Sequence, residues 1–271
     1  MQEVHYKKKF TRLKEFYMKR IVIKVGSSVL IDDGRIANER MLNLVSLIVA
    51  LRKKHEVILV TSGAVAAGYT AVQLNKLVPT SKKVLASLGQ PILMSSYKNL
   101  FDIFDVTISQ ILMTEDDFNS KPHTEIFQDI IERTFKNDIL AIVNENDIST
   151  TPEQLFGDND QLSAHVTHYA GADLLVILSD IDGYYDSNPK ENPEAKIRKY
   201  VNELTKEELD QEFTPNSKFA SGGIVTKLKA AKYIMQNDLE MFLCNGFDLT
   251  SARRYLLDDI HEKGTLFTTK K

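Results

Sequence analysis

From Lys19 onward, short apolar runs rich in β-branched residues alternate with longer amphipathic segments, and this alternation restricts the chain to a parallel sheet wrapped by helices. Six runs read as strands, at residues 20–25, 56–61, 105–112, 139–144, 172–179 and 239–245. Most are apolar throughout, as expected of strands covered on both faces, so the sheet is expected to be internal. Between them, residues 37–54 place Met41, Leu44, Ile48 and Leu51 on one helical face, and residues 223–237 do the same with Ile224, Leu228, Ala231 and Met235. Further helices are expected at 62–73, 82–101, 124–136, 158–170 and 249–259. The polar, turn-rich stretch 181–198 reads as an ordered excursion within one continuous domain.

Size and charge narrow the function classes. A chain of 271 residues that is 43% hydrophobic buries roughly three quarters of its unfolded surface, which gives it a substantial core. The formal charge of −3 provides no basic field for nucleic acid or an anionic membrane, so a small-molecule substrate is expected. No 18-residue apolar stretch and no secretory h-region is visible, and the one cysteine, Cys244, reads as a buried thiol in a reducing, cytoplasmic setting. Residues 1–17 carry five Lys and Arg against two Glu and look like an N-terminal extension appended to a domain over 18–271.

The chemistry is expected in the turns that end the strands, where open α/β sheets collect ligands. Lys24 stands inside an apolar strand ahead of Gly26-Ser27-Ser28, and a lysine is costly to bury there without an anionic partner. That favours a phosphate clamp. After the second strand, Ser62-Gly63 and the small residues Ala64 to Gly68 would let a helix N-terminus approach a ligand. Asn144-Glu145-Asn146-Asp147 and Gly157-Asp158-Asn159-Asp160 concentrate amides and carboxylates suited to an amino group and a carboxylate. One of Asp158 and Asn159 should cap its helix, and residues 148–156 could form a hairpin or flap. Ser221-Gly222-Gly223 opens a helix that carries Lys227, so backbone N–H groups and an ammonium would face one anion. At an effective dielectric of about 20, a lysine about 4 Å from a phosphate oxygen contributes roughly 4 kcal/mol per unit charge. No G-x-x-x-x-G-K-[ST] loop, dinucleotide glycine pattern or protein-kinase signature is present.

These segments resemble the glutamate 5-kinase branch of the amino-acid kinase family. Lys24-Val25-Gly26-Ser27-Ser28, Thr61 to Gly68, Gly89-Gln90, Asn144-Glu145-Asn146-Asp147, Phe156 to Ala164, Ser179 to Tyr184 and Ser221-Gly222-Gly223 with Thr226-Lys227 occur in that family's order, from about Lys19 to the end. The Asn-Glu-Asn-Asp and Phe-Gly-Asp-Asn-Asp elements are the specific ones.

The resemblance implies an α/β/α sandwich of three layers around a mainly parallel sheet, the N-terminal half binding glutamate and the C-terminal half ATP. It implies transfer of the ATP γ-phosphoryl group to the side-chain carboxylate of L-glutamate, the first step toward proline. Lys24, Lys227 and Asp160 then match the catalytic positions, with Asp160 holding both lysines. Ser62, Asp147 and Asn159 match the glutamate-binding positions. Lys24, Ser179, Asp180, Ser221, Gly222, Gly223, Ile224, Val225, Thr226 and Lys227 match the nucleotide site, with Mg2+ bridging the phosphates. A glutamate carboxylate, with a reference pKa near 4.3, is ionised at neutral pH and needs no general base. None of the six histidines falls in a motif, and His165 and His168, three apart on one helix, are assigned no metal. A homo-oligomer, proline feedback inhibition and hand-over to a glutamyl-phosphate reductase are further expectations. Many members of the branch continue into a PUA domain of RNA-binding type; this sequence ends at Lys271, and a short form without that domain is expected. The alternatives are a sibling kinase for another small acid and an amino-acid sensor without catalysis.

Overall fold

The computed structural model describes residues 18–75, 77–150, 159–189, 191–209 and 223–270. Residues 1–17, expected to form an extension, the part after Thr150 of the expected hairpin or flap, and Gly157, Asp158, Ser221 and Gly222 lie outside the described residues.

Ten strands are described: β1 Arg20–Val25, β2 Ile31–Asp32, β3 Arg35–Ile36, β4 Glu56–Val60, β5 Ile108–Met113, β6 Leu140–Glu145, β7 Leu174–Ser179, β8 Tyr200–Val201, β9 Glu240–Asn245 and β10 Thr265–Phe267. Eight form one sheet in the order β5-β6-β4-β1-β7-β9-β10-β8, in which the β9–β10 pair is antiparallel and all others are parallel. The helices are α1 Ser27–Leu30, α2 Asn38–Arg52, α3 Ala64–Ala71, α4 Pro79–Asp102, α5 Glu115–Asn119, α6 Lys121–Lys136, α7 Asn159–Tyr169, α8 Lys206–Leu209, α9 Ile224–Gln236 and α10 Thr250–Asp258.

Strand alternation divides the core. Ile21, Ile23 and Val25 of β1 pack with α2, α3, α4 and α10, whereas Val22 packs with α5, α6, α7 and α9 on the opposite face. The expected three-layer, mainly parallel architecture is therefore present. None of the described helices is long and apolar enough to cross a membrane.

The six expected strands all occur, with differences at their ends. The third starts at Ile108 rather than 105, because Asp105 has φ +55 and the backbone turns there, Val106 N–H closing onto Phe101 at the end of α4. That strand is also an edge, leaving Leu112 exposed, so the expectation of a wholly internal sheet fails at β5. The β2–β3 hairpin was not expected, although Asp33-Gly34, both with positive φ, is a strong turn signal. β8 and β10 are too short for a periodicity to show. Within the excursion 181–198, an antiparallel bridge joins Tyr185 and Ile197. Cys244 is buried as read from the sequence, and burial pushes its thiol well above the usual range.

One expectation changes its meaning. A Cβ on Gly68 would lie 1.9 Å from the Leu85 carbonyl oxygen, and one on Gly89 would lie 1.7 Å from that of Ala64. The small residues of α3 thus let it cross α4 backbone to backbone, rather than serving only to approach a ligand.

Candidate active site

All six parallel strands of the central sheet run the same way, so the turns after β1, β4, β6 and β7 open on one edge. The chain order reverses between β1 and β7, the place where such sheets form a crevice.

Alternation fixes what β1 contributes. Lys24 follows Val22 by two residues and therefore points to the face that carries α7 and α9. There it meets Asp160, in the first turn of α7: Lys24 Nζ donates to Asp160 Oδ1 at 2.5 Å. Lys227, in the first turn of α9, donates to the other carboxylate oxygen, Oδ2, at 3.1 Å, and Thr226 Oγ1 donates to the same oxygen at 2.9 Å. All three ionic groups are buried: Lys24 is 3%, Lys227 5% and Asp160 0% exposed. Two ammonium groups meet on one carboxylate where water is excluded, a place where an added anion could be paired rather than left bare. Thr226 also donates to the Gly223 carbonyl at 2.8 Å, which fixes the turn where Gly223, Ile224 and Val225 begin α9.

Beside this cluster lies a group of amides. Asn159 Nδ2, at the start of α7, donates to the Thr61 carbonyl at 2.5 Å and to Asn144 Oδ1 at 2.7 Å. Asn144 Nδ2, at the end of β6, donates to Gln90 Oε1 on α4 at 2.7 Å. Thr61 is itself held by a hydroxyl contact with the buried Tyr97 at 2.9 Å. Asn159 spends its side chain on this network rather than on the capping role expected for it or its neighbour; Asp158 lies outside the described residues.

The other expected residues sit around these two groups. Ser62, half-buried, precedes Gly63, whose φ of +100 requires glycine and whose absent Cβ would lie 3.8 Å from Ser27, bringing the turns after β1 and β4 side by side. Asp147 lies in the turn after β6, and burial raises its carboxyl above the ordinary value of 3.8 despite Lys82 and Lys83. Lys83 holds the following turn, donating to the carbonyls of Ile148 and Thr150 at 2.8 Å each. Ser179 ends β7 next to β1 and donates to Asp180 Oδ1 at 3.0 Å. Ser221 and Gly222 lie outside the described residues. Sequence reasoning assigned no role to Thr61, Gln90 or Asn144 individually. The usable signal for Thr61 and Asn144 was a polar side chain at the carboxyl end of an apolar strand; Gln90, inside α4, gave none.

His165 stacks on Tyr169 and Tyr233, which His168 meets edge-on, and burial pulls the His165 imidazole down to about 4. Among the described residues, no three His, Cys, Asp or Glu side chains cluster as a metal site.

Residues 19–245 match the model of the Amino acid kinase family. The glutamate 5-kinase of Wolinella succinogenes is 51% identical over 255 residues, covering 92% of this chain and 98% of its own. That of Leishmania donovani is 47% identical over 253 residues, covering 93% and 96%. Among solved structures, UMP kinase from Ureaplasma parvum aligns with a TM-score of 0.62 at 17% identity, covering 93% of this chain and 99% of its own, a likeness of fold. With a buried Lys–Asp–Lys cluster at the strand ends and these relatives along nearly its whole length, the chain belongs to the amino acid kinase family, in its glutamate 5-kinase branch.

Proposed function

We propose that this chain transfers the γ-phosphoryl group of ATP to the side-chain carboxylate of L-glutamate, giving γ-glutamyl phosphate and ADP, as the first step of proline synthesis. The observation that carries the reading is the pairing of Lys24 and Lys227 on the two oxygens of Asp160. A glutamate carboxylate oxygen attacks the γ-phosphorus in line, a new O–P bond forms, and the bond to the β,γ-bridging oxygen breaks with its electron pair leaving on ADP. Both reactants are anions, so the barrier is dominated by bringing negative charge together. Lys24 and Lys227 neutralise the oxygens of the transferring group, and Asp160 keeps the two ammonium groups apart and aimed. No group needs to remove a proton.

Asp147 supplies a carboxylate for the substrate ammonium, and Ser62 and Asn159 complete the glutamate site. Ser179, Asp180 and the turn 221–227 take the nucleotide; Mg2+, held beside them with the nucleotide, would supply further neutralisation of phosphate charge. In this reading the N-terminal half holds glutamate and the C-terminal half ATP, within one domain over 18–271. The enzyme works in the cytoplasm as a homo-oligomer, is inhibited by proline, and passes its labile acyl phosphate to a reductase.

An ATP assay across glutamate, N-acetylglutamate and aspartate, with the acyl phosphate trapped by hydroxylamine, tests the reading. Glutamate should be the preferred acceptor; no turnover of glutamate sinks it.

A further inference from the structure

The amides around Asn144 can be oriented without ambiguity, because backbone groups anchor the chain of hydrogen bonds at two points. The Thr61 carbonyl can only accept, so the atom of Asn159 that faces it is Nδ2. The same Nδ2 faces Asn144, and the Glu145 backbone N–H, which can only donate, also faces that Asn144 atom at 2.9 Å; it is therefore Oδ1. Asn144 then turns Nδ2 toward Gln90, and Gln90 must answer with Oε1. The polarity of three side chains is thus set by two backbone atoms, and it leaves Gln90 Nε2 as the end of the relay.

That nitrogen is buried and has no hydrogen-bond partner among the described residues. A buried amide donor without an acceptor is unfavourable, and an amide flip cannot relieve it, since Asn144 Nδ2 would then meet a second donor. Its surroundings are equally fixed. Gln90 follows Gly89, whose Cα lies against the Ala64 carbonyl at the start of α3, so the side chain stands where the end of β6, the start of α3 and the start of α7 converge. The close crossing of α3 and α4 brings Gln90 this near, which explains why glycine is needed one residue before it.

We infer that Gln90 is a substrate-binding residue whose Nε2 donates to a carboxylate oxygen of the bound amino acid. The inference rests on the proposed glutamate kinase activity and adds a residue to that site. The relay makes Gln90 rigid: Asn144 holds its acceptor end, and the donor end is presented in one direction only. Asn159 sits on the same relay, so the substrate and the amides would be ordered together.

Gln90→Glu separates this role from a structural one. The substitution keeps an oxygen for Asn144 Nδ2 but replaces the free donor by a charged acceptor. If Gln90 only supports Asn144, the variant should resemble the wild type. If Nε2 binds substrate, the glutamate KM should rise roughly 10- to 100-fold, the loss expected of a hydrogen bond to a charged group, while the ATP KM stays within about threefold. Gln90→Met, neutral and similar in length, is measured alongside, with thermal midpoints for both, so that a poorly folding variant does not decide the outcome. A glutamate KM within about threefold of wild type in either folded variant overturns the inference and leaves the kinase reading standing. Equal rises for glutamate and ATP overturn it as well. Absence of glutamate turnover by the wild type overturns the kinase reading, and the inference with it.

Discussion

On the α7–α9 side of the sheet, two buried ammonium groups share one buried carboxylate; toward α4, amides donate in series from Asn159 to Asn144 to Gln90. The first arrangement compensates charge with charge and tolerates some freedom of angle. The second is neutral and directional, and its polarity is dictated by the Thr61 carbonyl and the Glu145 N–H. A site that must move a phosphoryl group benefits from the former, and one that must select a small zwitterion from the latter. Variants on the two sides should therefore fail differently.

The largest loss is expected at Asp160. Asp160→Ala leaves Lys24 and Lys227 buried without their shared counter-ion, at a cost of roughly 3–5 kcal/mol in stability, and should reduce turnover by more than about 10³-fold. Chemical denaturation and single-turnover kinetics measure both; a stable, active variant would break the comparison. Lys227→Ala should lower kcat roughly 10²- to 10³-fold while calorimetry still detects glutamate binding.

Asp147→Asn should do the reverse, raising the glutamate KM roughly 10- to 100-fold with a smaller change in kcat. Burial has raised this carboxyl, so its ionised form is disfavoured in the folded chain, and the ligand-free variant should melt higher than wild type at neutral pH. For the same reason, wild-type affinity for glutamate should fall as pH drops through a midpoint above 3.8, because only the carboxylate pairs with the substrate ammonium. Titrating affinity against pH in wild type and variant checks the sign: the variant should keep only the fall that comes from protonation of the substrate's own carboxylate, at about 4.3.

Gly89→Ala tests whether the amide side depends on the helix crossing. The added methyl meets the Ala64 carbonyl, so roughly 1–3 kcal/mol of stability should be lost, with glutamate binding affected more than ATP binding.

The smallest effect on activity is expected at His165. Its folded pKa, about 4, lies below the ordinary 6.5, so the unfolded chain takes up the proton first and stability falls as pH drops from 6.5 toward 4. His165→Phe should flatten that part of the stability curve in acid denaturation and leave kcat and both KM values unchanged.

The strands were legible because burial on both faces writes itself as apolar runs, and Lys24 stood out because it interrupts one. The motif turns were legible by their residue types. Less was visible where structure depends on few residues or on distant ones. Asp33-Gly34 turns a hairpin of two-residue strands, too short for alternation to register. Gly68 read as part of a ligand turn and Gly89 as a residue of an expected helix, yet each meets a backbone carbonyl of the neighbouring helix, a contact between α3 and α4 that spacing along one chain does not encode.

By itself the sequence determined the layered fold, the place of Lys24 inside an apolar strand, and the residue types available for phosphate and zwitterion. Period-two alternation and apolar runs are local properties of the chain, and they survive without knowledge of partners. Only the tertiary structure decided that Asp160 takes a lysine on each oxygen from segments 136 and 67 residues away, and that Asn144 points one end at Gln90 and the other at Asn159. Hydrogen-bond direction and shared counter-ions are properties of groups brought together by packing, so they exist only once β1, β6, α4, α7 and α9 have met.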